Sequence, residues 1–141
     1  MRLRGFAIVP IIALVFFTTA CAGTLRDNVR KGALIAGEAA LSIDADEATL
    51  YASTPRTIYT PEQHAKAGTA IVVMLKAVQV YERAARAWPE KVAIPGNVPE
   101  AMAEALSAIT AVEQIIGGVP GNSKLLANLE HVRSVIGGGA K

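Results

Sequence analysis

The chain has 141 residues, with 14 Lys+Arg, 12 Asp+Glu and one cysteine. A single thiol cannot form an intrachain disulfide, so a domain of this size depends on its apolar core. Arg2 and Arg4 lie in an apolar leader, and the residues after it carry 12 basic and 12 acidic side chains. This balance argues against binding to nucleic acid, which needs a basic patch or stripe.

The leader, residues 1–20, predicts a secretory signal. Arg2 and Arg4 form its basic region, an uncharged apolar run follows, and small residues occupy positions 18–20. The uncharged run covers residues 5–25, which matches the roughly 20 residues of a membrane-spanning helix. Hydropathy alone therefore leaves two alternatives open, a cleaved signal and a retained anchor.

The last residues of the leader, Thr18-Thr19-Ala20-Cys21, resemble the lipobox of bacterial lipoproteins. In that family the cysteine sulfur receives a diacylglycerol, and signal peptidase II then cuts just before it. The resemblance, which covers residues 1–21 only, implies that Cys21 is the lipidation site and anchors the protein to a lipid bilayer. Residues 21–24 would be a very short tether. By the sorting habits of Gram-negative lipoproteins, Ala22 implies the outer membrane, facing the periplasm.

Residues 25–136 predict an all-α domain, a small antiparallel bundle of three to four helices. Aromatic residues are few, and the alternation typical of strands is scarce. The first predicted helix spans residues 25–52, where apolar side chains recur at spacings of three, four or seven. Thr54-Pro55 ends it.

The second predicted helix spans residues 61–88. Thr60-Pro61-Glu62-Gln63 has the pattern of a capping box with proline at the first helical position, and Pro89 ends the helix. Its segment 70–75 is apolar all round. This indicates either the most buried helix or one that contacts a protein partner or a second copy of the chain.

Two further helices are predicted at residues 99–116 and 123–136, the last with Asn122 as N-cap. Ile94-Pro95-Gly96-Asn97 and Val119-Pro120-Gly121-Asn122 repeat one pattern before these helices. Pro-Gly suits a type II turn, in which glycine takes a positive φ. The tail, residues 137–141, is expected to be disordered.

Candidate catalytic groups are sparse. His64 and His131 lack a ligand at the helical spacing that metal pairs use, so both are expected to be exposed. The segment Asp44-x-Asp46-Glu47 lacks the glycine and closing glutamate of an EF-hand loop, and we expect a solvated helix face. We therefore expect no catalytic, cofactor-binding or metal-binding residues, and a protein that is not an enzyme.

Basic residues lie close to the proposed anchor, at the start of the first helix and the end of the second. Tryptophan favours the headgroup region of a bilayer, and cations gain energy near anionic lipid. The predicted membrane-contact residues are Arg26, Arg30, Lys31, Arg83, Arg86, Trp88 and Lys91. The alternative interpretation is that Trp88 belongs to the core and the arginines form a solvated face.

The C-terminal residue, Lys141, follows three glycines. In this residue alone the chain resembles the major peptidoglycan-linked outer-membrane lipoprotein, which implies peptidoglycan attachment at Lys141; the alternative is a frayed terminus. Taken together, the sequence predicts an envelope lipoprotein with a structural or protein-binding role. The alternative is an accessory subunit of an envelope machine or a phage-encoded lysis or exclusion lipoprotein.

Overall fold

The computed structural model describes residues 8–138, with side chains from Thr24 onward. The helices of this part are α1 (Ile8–Ala40), α2 (Ile43–Ser53), α3 (Pro61–Ala87), α4 (Asn97–Ile116) and α5 (Ser123–Gly138). Residues 8–138 contain no strand, so the predicted all-α class is confirmed. Among residues 24–138, whose side chains the structure describes, no helix is long and apolar enough to cross a membrane.

The first predicted helix is divided at Leu41 and Ser42 into α1 and α2. The Ser42 side chain and backbone both donate to the carbonyl of Ala39, at 2.9 and 3.3 Å. This pairing tightens the last turn of α1 and takes the place of a helical bond. In the other direction α1 extends back to Ile8 and runs through residues 21–24, so the structure has helix where the sequence predicted a tether.

Helix α3 begins as predicted. The backbone N–H of Gln63 donates to Thr60 Oγ1 at 3.2 Å, and the backbone N–H of Thr60 donates to Gln63 Oε1 at 3.0 Å. Pro61 stands at the first helical position. The capping box therefore satisfies two backbone donors at this helix end.

The two Pro-Gly turns differ from each other. Gly121 has φ +80°, as the predicted type II turn requires, whereas Gly96 has the helical φ of −58° and leads directly into α4. Asn122 directly precedes α5, as predicted, but its side chain serves the end of the preceding helix, α4. The Asn122 side chain donates to the carbonyls of Ile116 and Gly117, at 2.8 and 3.1 Å, and so closes the end of α4.

The core draws on all five helices, but with side chains of different size. Apart from Val29, the residues that α1 buries are alanines and a glycine, whereas α4 and α5 also bury isoleucine and leucine. In the segment predicted to be apolar all round, Ile71 and Met74 are buried while Val72 and Val73 are exposed. The outer side of α3 is thus apolar and uncovered at this point. α5 ends at Gly138, two residues beyond its predicted end.

Candidate functional site

The predicted attachment points lie largely outside the described residues. The backbone of Cys21 belongs to α1, but its side chain is outside the described part, and so is Lys141. The structure therefore bears on the surface near the anchor rather than on the anchor itself.

Three of the predicted membrane-contact residues lie together in a groove between α1 and α3. Arg30 and Lys31 from α1 and Arg86 from α3 line a cavity of about 430 Å³, with Leu34 and Glu82 as its other lining residues. Arg86 donates to Glu82, one helical turn before it. The cations of α1 are therefore left without an acidic partner within this cavity.

The groove continues away from the anchor. A second cavity, of about 170 Å³, shares Leu34 and Glu82 with the first and adds apolar side chains, among them Leu41 and Leu75. Because the two cavities share lining residues, they form one groove. Its cations lie at the end nearer Cys21, and its other end is mainly apolar, with Glu38, Gln79 and Glu82 as its polar lining.

Trp88 does not belong to this surface, so its predicted membrane contact is wrong. Its side chain is only 2% exposed, and the indole Nε1 donates to the backbone carbonyl of Val92 at 2.8 Å. The chain after α3 turns back to supply that acceptor. A buried indole with its N–H satisfied is a core residue and cannot lie among lipid headgroups.

Arg26 is also largely withdrawn from solvent. Its side chain is 11% exposed and lies 3.6 Å from carboxylates of Asp27 and Glu90. The ion pair with Glu90 joins α1 to the connection that follows α3. Arg83 and Lys91, by contrast, are exposed.

A cluster that the sequence did not predict lies at the other end of α3. We call it the α2–α3 corner: Glu47, Tyr51, Arg56, Tyr59 and His64. The Tyr59 hydroxyl donates to Oε1 of Glu47, and Nδ1 of His64 lies 2.8 Å from the same oxygen. The ring of Tyr51 stacks on His64, with centroids 3.8 Å apart, and the Arg56 guanidinium lies 3.6 Å from the centroid of Tyr51.

The corner corrects two predictions. Glu47 was expected on a solvated face, yet its side chain is 2% exposed. Its neighbour Asp46 pairs with Lys124 of α5 at 2.7 Å, and that hydrogen bond, opposed by burial, lowers the pKa of Asp46 below its ordinary value. His64 was expected to be exposed but is partly buried by its partners, whereas His131 is exposed as predicted.

Burial dominates the electrostatics of the corner. It raises the pKa of Tyr59 well above the ordinary value, and the hydrogen bond to Glu47 raises it further. The phenol thus stays protonated and continues to donate to the carboxylate. A carboxylate that holds Nδ1 fixes the orientation of an imidazole. Here, with Tyr51 covering one ring face, the arrangement joins α2, the following turn and α3.

One sequence signal could have identified the corner. Two of the three tyrosines and one of the two histidines fall within residues 51–64, at the adjoining ends of two predicted helices. Side chains at a short helix connection are expected to meet, because consecutive elements are usually neighbours in space.

Among the described residues, no three His, Cys, Asp or Glu side chains are grouped as metal ligands would be. No protein-family model, curated protein or solved structure matches this chain.

Proposed function

We propose that this protein is a lipid-anchored lipoprotein of a bacterial envelope, with a structural or binding role and no catalytic one. The observation that carries the proposal is the position of the only cysteine, Cys21, which stands directly after Thr19-Ala20 at the end of an uncharged apolar run. A basic start, an apolar middle and a small-residue end are the parts of an export signal. Ala22 supports the outer membrane as the destination.

The domain that follows would be an antiparallel bundle. Gly37 of α1 lies against Glu82 of α3, and Glu47 of α2 contacts His64 of α3. Residue numbers therefore rise along α1 and α2 while those of their partners in α3 fall, as expected for antiparallel helices. Gly32 lies against Val135 and Asp46 pairs with Lys124, which supports the same antiparallel relation for α5. These contacts support a compact bundle held close to the membrane by its first helix.

A second role, docking to a protein partner or a second copy, is favoured by the outer side of α3. Val73 and Val80 are exposed and lie seven residues apart, which places them on one side of the helix. An accessory subunit of an envelope machine, or a phage-encoded lysis or exclusion lipoprotein, would use such a surface.

The test is the mass of the protein made in a Gram-negative host. The wild-type chain should begin at Cys21 and carry a diacylglyceryl group with its acyl chains, and Cys21→Ser should accumulate as unlipidated precursor. Thr18→Leu is the matched control, because it changes the same motif towards the common lipobox residue and should keep full lipidation. A wild-type protein without lipid, or with another first residue, would contradict the proposal.

A further inference from the structure

We propose that the α1–α3 face lies flat on the anionic phospholipids of the leaflet that holds the anchor. The α1–α3 face is the open side of the groove. Its exposed apolar residues are Leu34, Leu41 and Val72, its exposed cations are Lys31, Arg83 and Arg86, and its acidic residues are Glu38 and Glu82. The inference rests on the proposed function, because the lipid anchor at Cys21 is what holds the domain at a membrane. The contact proposed here is made by a different part of the molecule, the α1–α3 face.

The exposed apolar residues are unevenly distributed. Among the described side chains, the large exposed hydrophobics on helices or at their ends are Leu34, Leu41, Val72, Val73 and Val80, while Ile58, Val92 and Ile94 lie in connections. None of this set lies on α4 or α5. Leu41 is 66% exposed, Val72 48% and Leu34 46%. These three lie on the α1–α3 face, whereas Val73 and Val80 belong to the outer side of α3 described above. Exposed apolar side chains grouped on one face of a small protein mark an interaction surface.

The charges follow the same division. The described side chains of α1 and α3 include seven basic and four acidic residues, net +3. Those of α4 and α5 include two basic and four acidic residues, net −2. On the α1–α3 face itself, the cations Arg30, Lys31, Arg83 and Arg86 outnumber the acidic residues Glu38 and Glu82, so an anionic surface attracts this face before any contact forms.

The arrangement within the face fits a phospholipid surface. On α3, Val72, Gln79 and Arg83 are spaced by seven and four residues, so they share one side of the helix, and Gln79 also lines the groove. Apolar side chains that enter the boundary of the acyl chains, flanked by cations that meet headgroup phosphates, are the pattern of interfacial membrane binding. Each cation near anionic lipid adds on the order of 1 kcal/mol.

A second copy of the chain fits the face less well. A two-fold dimer uses the same patch on both partners, so it would bring two cationic surfaces together. A stable protein interface also needs about 800 Å² from each partner with a satisfied polar rim. Among the described side chains Arg30 and Lys31 form no ion pair, and lipid phosphate would supply the opposite charge.

The experiment uses the full-length lipidated protein in nanodiscs, either of zwitterionic lipid alone or with anionic phosphatidylglycerol. A spin label on Val72→Cys, or in a second variant on Leu41→Cys, reports depth through its collisions with oxygen and with a water-soluble relaxation agent. Ser107→Cys, which is exposed on α4, is the matched control. We expect the labels at 72 and 41 to become lipid-exposed only in anionic nanodiscs, and the label at 107 to stay in water.

The cations are tested by a double variant, Lys31→Gln with Arg83→Gln, against an equal change of charge off the face, Lys66→Gln with Lys124→Gln, of which Lys124 lies exposed on α5. The first pair should weaken the docked state about tenfold or more, and the second should leave it almost unchanged. Labels at 72 and 41 that stay in water with anionic lipid would overturn the inference. The inference would also be overturned if the labels at 72 and 41 left water only as the protein concentration rose and irrespective of the lipid, because this would indicate contact with a second copy. Intact mass of the same sample reports the anchor, so a missing lipid on Cys21 would contradict the proposed function separately.

Discussion

Helices α1 and α4 differ in the size of the apolar side chains that they bury. Both bury alanine and valine, but only α4 adds isoleucine, at Ile109 and Ile116. α1 buries nothing larger than Val29, while Leu34 on its outer side is 46% exposed. The usual arrangement, with the large apolar groups inside, holds for α4 and is weak in α1.

The small size of the residues that α1 buries has a structural reason. A Cβ added at Gly32 would lie 2.5 Å from the backbone oxygen of Val135, and one at Gly37 would lie 2.7 Å from the Glu82 carboxylate. α1 is therefore held by close approach to α5 and α3, while α4 is held by the volume of the side chains it buries. Apart from Leu25, which packs against the core, the leucines at positions 34 and 41 are exposed and free to contact something else.

The largest expected effect comes from α4. Ile109 is fully buried, so Ile109→Ala should lower the free energy of unfolding by about 2–5 kcal/mol, through lost burial and the cavity left behind. Leu75 of α3 is only partly buried, and Leu75→Ala should cost less. Chemical denaturation monitored by circular dichroism compares the two variants. Equal losses of unfolding free energy would contradict the assignment of Ile109 to the core interior and of Leu75 to its edge.

The next effect concerns the α2–α3 corner. Glu47→Ala leaves the Tyr59 hydroxyl and the Nδ1 of His64 without their acceptor, which should cost about 2–4 kcal/mol. Glu38→Ala, on the exposed side of α1, is the matched control and should change stability by less than about 0.5 kcal/mol. Equal behaviour of the two variants would show that the corner contributes little to the fold.

The close approach of α1 is tested by a pair of glycines. Gly32→Ala forces the backbone of α5 to move and should destabilise the protein by about 1–3 kcal/mol. Gly68→Ala meets no atom within 4 Å and should stabilise it by about 0.5–1 kcal/mol, because alanine favours helix. Thermal unfolding of both variants gives the sign. Stabilisation by both would mean that α1 is not tightly packed.

A smaller effect is expected at Tyr81 of α3, whose hydroxyl is buried without a hydrogen-bond partner among the described residues. Tyr81→Phe should stabilise the protein by about 1 kcal/mol. Burial raises the pKa of Tyr81 to about 12, from an ordinary value of 10.0. Stability therefore does not depend on this group below pH 10 and falls between pH 10 and about 12, because there the unfolded chain ionises while the folded one stays protonated.

Unfolding measured from pH 8 to 12, with phenolate absorbance recorded in parallel, checks this dependence. The Phe variant should lose less stability above pH 10 than the wild type, although Tyr59 will keep part of the slope in both proteins. Ionisation of every tyrosine near pH 10 in the folded protein would contradict the burial of these phenols.

The smallest expected effect distinguishes the leucines of α1 from those of the core. Leu41→Gln should change the free energy of unfolding by less than about 0.5 kcal/mol, since the side chain is largely in water. Leu129→Gln, at a buried position of α5, provides the contrast and should be strongly destabilising. If Leu41→Gln is comparably costly, Leu41 belongs to the core and does not form part of a docking surface.

Local signals were sufficient for much of the fold. The Thr60–Gln63 capping box placed the start of α3, and the turn at Gly121 has the positive φ that Pro-Gly predicted. Both depend on residues within four positions of one another. The same reasoning failed at Gly96 and at Ser42, where the choice between helix and turn depended on a few backbone hydrogen bonds with no distinctive residue pattern.

The site was less predictable than the fold. The grouping of basic residues near the start of α1 and the end of α3 followed from the order of the helices. The burial of Trp88 depended on a carbonyl that the next connection supplies, and the burial of Glu47 on a tyrosine twelve residues away. Partners of this kind are contributed by a folded connection, and no periodicity within a helix reports them.

The sequence by itself determined the all-α class, most helix ends and the lone thiol behind an apolar leader, because propensity, capping and composition act over short distances. Only the tertiary structure decided that α1 buries its small side, that Glu47 becomes an internal acceptor, and that leucines and cations share one face. These outcomes depend on which helices pack together and how closely, and that is set by contacts between residues far apart in the chain.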